Sequence, residues 1–130
     1  MFLVASNKLK RLLYVSYIGQ VHPAELADSR EDIRAVLAEL PPGFRLLADL
    51  SQMTALDPDC LPEIASIMEL LDQSGVGTIV RVIPDTAKDI GFNILTVFHY
   101  PHHPRVITCR NLTEAGKYLA EPPAVITNPR

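Results

Sequence analysis

Arg45-Leu46-Leu47-Ala48-Asp49-Leu50-Ser51 is a short apolar run that ends in polar residues, and Asp57-Pro58-Asp59-Cys60 follows closely. Beyond it, Leu61, Ile64, Ala65, Met68 and Leu71 recur at helical spacing, widened by Ile67 and Leu70. The first run reads as a strand over 45–50. The second reads as an amphipathic helix over 58–73, covered on more than one side. Asp57 suits the N-cap, and Pro58 the first helical position, where a missing N–H costs nothing. Ser74-Gly75 ends the helix. A strand followed by a helix in this way places Asp49, Ser51, Asp57 and Asp59 at a strand's carboxyl end and a helix's amino end. Ligands and partners are commonly met there in α/β folds.

The same alternation extends in both directions. Phe2 to Ala5 and Leu12 to Ile18 are apolar and β-branched around a Ser6-Asn7-Lys8 turn, the pattern of an antiparallel hairpin ended by Gly19. Pro23 opens a helix whose Leu26, Ile33, Val36, Leu37 and Leu40 share one face, and Pro41-Pro42-Gly43 stops it. His22 stands at its cap with a side chain poorly suited to the task. Gly77 to Ile83 is almost continuously apolar, as expected of a strand buried on both faces. A helix is expected over 86–98, with Gly91 as its weak point. Arg105 to Cys109 reads as a last strand, and Asn111-Leu112-Thr113-Glu114 as a capping-box variant opening a final helix to about Ala120. The order β-β-α-β-α-β-α-β-α implies an α/β fold with about four helices. Its mixed sheet is parallel after the N-terminal hairpin. Residues 1–120 form one domain in this reading, and 121–130 a proline-rich extended tail.

Bulk properties exclude several classes. The chain has 130 residues, 48% hydrophobic and 21% charged, which suffices for one core without disulfides or metal. The formal net charge of -3 argues against nucleic-acid binding. Lys8, Lys10 and Arg11 are the only basic cluster and read as a solvated turn. No apolar run has the length of a membrane span, and the start lacks the order of a signal peptide. Cys60 and Cys109 lie far apart and read as reduced thiols, so a cytoplasmic location is the expectation.

Several short motifs together resemble the STAS domain. They are Tyr17-Ile18-Gly19 before Pro23, Pro42-Gly43-Phe44-Arg45, Asp49-Leu50-Ser51, and Val82-Ile83-Pro84-Asp85 with Lys88-Asp89-Ile90-Gly91-Phe92. More narrowly, the chain is similar to stand-alone SpoIIAA-like, STAS/SEC14-type bacterial proteins, and the similarity covers nearly everything before the tail. The resemblance implies the STAS fold and a role like that of anti-sigma factor antagonists. In phospho-switch members a serine after the aspartate of an Asp-Ser-x-Gly segment is phosphorylated. Here Pro58 replaces the acceptor and Cys60 the glycine, so that switch is not expected, and Asp59 already supplies a carboxylate in the first turn.

Each candidate group has a structural reading beside a functional one. Asp57 as cap, Asp59 as dipole partner, and Asp49 and Ser51 as loop ties compete with a shared docking surface. Cys60 as a buried thiol competes with an activated nucleophile that adjacent Asp59 would oppose. His99, His102 and His103 are close in sequence, but Pro101 and Pro104 interrupt any metal-ligand spacing, and no metal or other cofactor is expected. Arg81 inside a buried strand needs a partner, and Asp49 on a neighbouring strand is the first choice. Asp85, Lys88, Asp89 and Gly91, with Asn93 and Tyr100, would line a crevice against the Ser51 loop. Helix 86–98 would then be a movable lid over an apolar pocket, or simply packed core. The apolar face of helix 58–73 and the tail are compatible with a homodimer, and core burial explains the helix equally well.

No complete catalytic motif is present. The expectation is therefore a non-enzymatic module that docks a protein partner or small ligand through Asp49, Ser51, Asp57, Asp59, Asp85, Lys88 and Asp89. The alternative is a carrier of a small apolar ligand, or a peripheral lipid binder. A small thiol or metal enzyme ranks behind both.

Overall fold

The computed structural model describes residues 1–83 and 100–120. Five strands form one sheet in the order β1-β2-β3-β4-β5: Phe2–Asn7, Leu12–Val21, Arg45–Leu56, Thr78–Val82 and Arg105–Cys109. β1 pairs antiparallel with β2, and the remaining neighbours pair in parallel. The described residues contain three α-helices: α1 (Pro23–Leu37), α2 (Leu61–Gln73) and α3 (Leu112–Leu119). The expected helix over 86–98 and the expected tail lie outside the described residues.

Each step from β2 to β3 to β4 moves the same way across the sheet. Right-handed crossovers therefore put α1 and α2 on one face. That face carries the larger core, in which Leu13, Leu26, Ile33, Phe44, Leu50, Ile64, Leu71 and Ile79 are almost wholly buried. α3 covers part of the other face, over Leu47, Val80, Val82 and Cys109. The apolar stripe of α2 is spent inside this core, since Ile64, Ile67, Met68 and Leu71 are all buried. Most of the helix face that is compatible with a homodimer is thus covered within one chain, and the tail lies outside the described residues.

Four boundaries differ from the sequence reading. β3 continues beyond Leu50 to Leu56. Its second half pairs with β2 across two register shifts, and β2 in turn runs through Gly19 to Val21. Gly19 takes a positive φ of 63° at these irregularities, so it bends the strand rather than ending it. α1 ends at Leu37 and the chain turns through 38–40, although Leu40 is still buried. Pro58–Cys60 is a 3-10 turn, and α2 proper begins at Leu61.

The exits of α1 and α2 are packed together. Gly75, at φ 87°, lies where an added Cβ would come within 2.9 Å of the Pro42 Cβ, and its carbonyl accepts from Gly43 N–H at 2.7 Å. Only glycine combines that backbone angle with that approach. Arg45 ties the same end of the sheet, donating to the Leu119 and Lys10 carbonyls, each at 2.6 Å.

Candidate functional site

Asp57 caps the 3-10 turn as its sequence position suggests: its Oδ1 accepts from Asp59 N–H at 2.9 Å. Its own N–H donates to the Val21 carbonyl at 3.4 Å, which fixes the turn to the carboxyl end of β2. Pro58 and Asp59 are exposed. Leu61 follows and is 41% exposed. Its spacing puts it on the apolar stripe, but as the first residue of α2 it stands at the end of that stripe and is only partly covered. An apolar side chain therefore stands beside two carboxylates at the open start of α2.

Cys60, between them, is buried, and its Sγ donates to the Val21 carbonyl at 3.4 Å. Burial pushes its thiol up from the ordinary range, and the carboxylates of Asp57, Glu25 and Asp59 add to the effect. Burial and the surrounding negative charge together oppose a thiolate nucleophile here. Glu25, in the first turn of α1, accepts from His22 N–H at 2.9 Å. The poor cap residue is thus compensated by the reciprocal half of a capping box.

Asp49 and Ser51 form a separate pair. Asp49 is buried, its Oδ1 accepts from Ser51 N–H at 2.9 Å, and Tyr14 makes a long 3.5 Å contact with Oδ2. Ser51 is exposed. Because β3 runs on to Leu56, five residues of strand, 52–56, separate Ser51 from Asp57. At about 3.3 Å per residue, with some loss at bulges, that is on the order of 15–20 Å. The structure therefore divides the expected four-residue cluster in two. Asp85, Lys88 and Asp89 lie outside the described residues.

Arg81 does not pair with Asp49. Val15, Ala48, Arg81 and Thr108 lie opposite one another across four strands, whereas Ser16, Asp49, Val82 and Cys109 form the next row. Adjacent rows point to opposite faces. Arg81 thus faces the α1/α2 core and donates to Thr108 Oγ1 at 3.0 Å, while Asp49 faces the α3 side.

His102 has a partner that its sequence neighbours do not reveal. Its Nδ1 lies 2.5 Å from Asp72 Oδ2, and its backbone N–H donates to Asp72 Oδ1 at 3.1 Å. Asp72 sits in the last turn of α2 with its side chain only 3% exposed, against 76% for His102. His103 takes a φ of 53°, and its N–H donates to the Tyr100 carbonyl at 3.1 Å. His99 lies outside the described residues. One ring nitrogen of the histidine cluster is therefore committed to a carboxylate.

Between α2 and the sheet is an apolar cavity of about 30 Å³. Its walls include Leu50, Ile67, Met68, Tyr17 and Tyr100, and Arg81 also reaches it. That volume holds a water or two, far below the several hundred Å³ of a typical ligand pocket. Burial, followed by the nearby Cys60, drives the Tyr17 hydroxyl far above the phenol range. Burial does the same for Tyr100, with Tyr17 as the next cause. Among the described residues no helix is long and apolar enough to cross a membrane.

No family model matches the chain, and no curated protein matches it by sequence. Solved structures do match. The unphosphorylated form of the anti-sigma factor antagonist SpoIIAA aligns with a TM-score of 0.65 at 10% identity, over 92% of this chain and 98% of that one. An uncharacterized DUF3478-family protein with a SpoIIAA-like fold, from Shewanella loihica PV-4, aligns with a TM-score of 0.69 at 10% identity, over 92% of each chain. An anti-sigma factor antagonist from Mycobacterium paratuberculosis aligns with a TM-score of 0.58 at 23% identity, over 93% of this chain and 94% of that one. The chain has the SpoIIAA-like, STAS fold, and at these identities the likeness concerns the fold alone.

Proposed function

We propose that this chain is a non-catalytic STAS-type regulatory module that docks a protein partner at the start of α2. The observation that carries the reading is the exposed group Pro58, Asp59 and Leu61, held by the Asp57 cap at the carboxyl end of the sheet. An exposed leucine two residues from the exposed carboxylate of Asp59 offers a small apolar anchor with acidic company, a combination suited to a basic-rimmed protein surface. The fold is shared with anti-sigma factor antagonists, proteins that act by way of a partner. Pro58 has no hydroxyl to phosphorylate, and Asp59 keeps a permanent negative charge at the helix start. The module would then be fixed in one charge state rather than switched there.

The test is to map amide chemical-shift changes on titration with candidate partner proteins. Asp59→Lys and Leu61→Ala serve as the disabling variants. Perturbations should cluster over 57–63 and disappear in both variants. Perturbations confined to the opposite end of the sheet, near Lys8 and Arg11, would refute the site.

A second reading, a carrier of a small apolar ligand, is favoured by one observation. The cavity against α2 is lined mostly by apolar side chains, with the buried Arg81 among them.

A further inference from the structure

β1 is one edge of the sheet, and its bonds to β2 decide which of its backbone groups look outward. The Met1 amino group donates to the Ile18 carbonyl at 2.6 Å, and Ile18 N–H donates to the Met1 carbonyl at 2.8 Å. Such an exchange recurs at every second residue of an antiparallel pair. In the observed register Leu3, Ala5 and Asn7 therefore turn their backbone groups toward Ser16, Tyr14 and Leu12 of β2. The N–H and C=O groups of Phe2, Val4 and Ser6 point away from the sheet, and among the described residues no strand pairs with that edge. Exposed edges are ordinarily blunted by charge, proline or a bulge. Phe2–Asn7 carries no charged residue and no proline, and its register with β2 is unbroken. The other edge strand, β5, begins with exposed Arg105. Both cations that flank β1 are already matched within the chain: the Met1 ammonium lies 3.3 Å from Glu25, and Lys8 Nζ 3.0 Å from Glu39. Leu3, 44% exposed, and Ala5 lie on the face away from α1 and α2.

We propose that two copies of this chain pair through β1, antiparallel, about a two-fold axis at Val4. Phe2 and Ser6 are equally spaced on either side of Val4, so the outward pattern is its own complement. Val4 meets Val4 of the second copy, and Phe2 meets Ser6, each pairing exchanging two backbone hydrogen bonds. The same axis sets exposed Leu3 over Ala5 of the second copy, a large side chain on a small one. An uncharged strand whose flanking cations are matched puts no like charges across the axis. The two sheets become one. A single strand pair buries less than the roughly 1,200–2,000 Å² of stable complexes, so the dimer is weak and concentration-dependent. The proposal is independent of docking at the start of α2.

Sedimentation equilibrium of the full chain over a wide concentration range is the test, with each variant first shown to be folded by circular dichroism. The mass of the wild type should rise from 14.4 kDa toward that of two chains. Ser6→Pro removes an outward N–H that the fold does not use, and Leu3→Lys puts charge beside the axis. Each should weaken the dimer by about tenfold or more. Leu3→Lys gives the result should Ser6→Pro fail to fold. Across the axis the Val4 Cα atoms stand about 5.5 Å apart, within disulfide reach, so Val4→Cys should cross-link in air. Ser6→Cys faces Phe2 instead and should not. A monomer at every concentration overturns the proposal, and so does a dimer that both Ser6→Pro and Leu3→Lys leave intact. Ser6→Cys cross-linking as readily as Val4→Cys overturns the register. Asp59→Lys should dimerise as wild type does, which keeps partner docking and self-association as separate results.

Discussion

Asp72 Oδ2 stands 2.5 Å from His102 Nδ1, so a carboxylate buried in the last turn of α2 is held by a residue from the approach to β5. The position is unfavourable for a negative charge in two respects. It is dehydrated, and it lies at the negative end of a helix dipole. His102 offsets both through its two donors. Replacing His102 with alanine leaves the backbone donor and removes the ring. The expected loss is about 1.5–3 kcal/mol, the range for a hydrogen bond to a charged group. Urea unfolding measures it, and a change within error of zero would show that the pair contributes nothing to stability.

The two aspartates at the start of α2 should separate into a structural and a surface role. Asp57→Ala removes the cap on Asp59 N–H and should cost about 1 kcal/mol. Asp59→Asn alters an exposed side chain and should stay within about 0.5 kcal/mol of wild type. Thermal melts of the two variants side by side decide it. Equal destabilisation would mean that Asp59 also holds the turn.

Glu25 should contribute to acid sensitivity. Its bond from His22 N–H holds its carboxyl below the usual carboxylate range. The unfolded chain thus binds this proton more readily than the folded one. The resulting stability is complete above the ordinary glutamate value and is lost as pH falls through the lower, folded value. Unfolding curves between pH 3 and 7 should show a larger acid loss for wild type than for Glu25→Gln. Parallel curves would exclude the contribution.

Neither thiol should react readily in the native state. Burial pushes Cys60 and Cys109 up, with carboxylates reinforcing the effect at both. A disulfide-exchange reagent at neutral pH should label neither residue until the protein is unfolded, when both react. Native labelling of Cys60 at the rate of a free thiol would revive a nucleophilic role for it.

The core sets the scale against which these effects are read. Phe44 is wholly buried at the amino end of β3, beneath the packed exits of α1 and α2. Phe44→Ala should cost about 3–5 kcal/mol, the range for deleting a buried aromatic ring. Chemical denaturation checks it, and a loss under about 1 kcal/mol would mean that the site collapses to fill the space.

What the sequence determined by itself is local, and it is also what the fold is built from. Proline at 23 and 58, Asp57 as cap, Asn111 accepting from Glu114 N–H, and the apolar run at 77–83 each encode an element through backbone chemistry or periodicity. Alternating strands and helices then leave few topologies, and the right-handed crossover rule selects the face for α1 and α2. The rest is not written locally. The extension of β3 to Leu56 depends on irregular pairing with β2, and it separates Ser51 from Asp57. Register, not proximity in sequence, sends Asp49 and Arg81 to opposite faces. The place of Leu61 as the first residue of α2, beyond the reach of the core, leaves it exposed although its spacing fits the buried stripe. Asp72 and His102 are thirty positions apart, and only the packing of α2 beside the approach to β5 brings the carboxylate to the ring. Hydrophobic spacing and capping act over a few residues and can be read in order, whereas pairing across strands and between elements is a property of the assembled sheet.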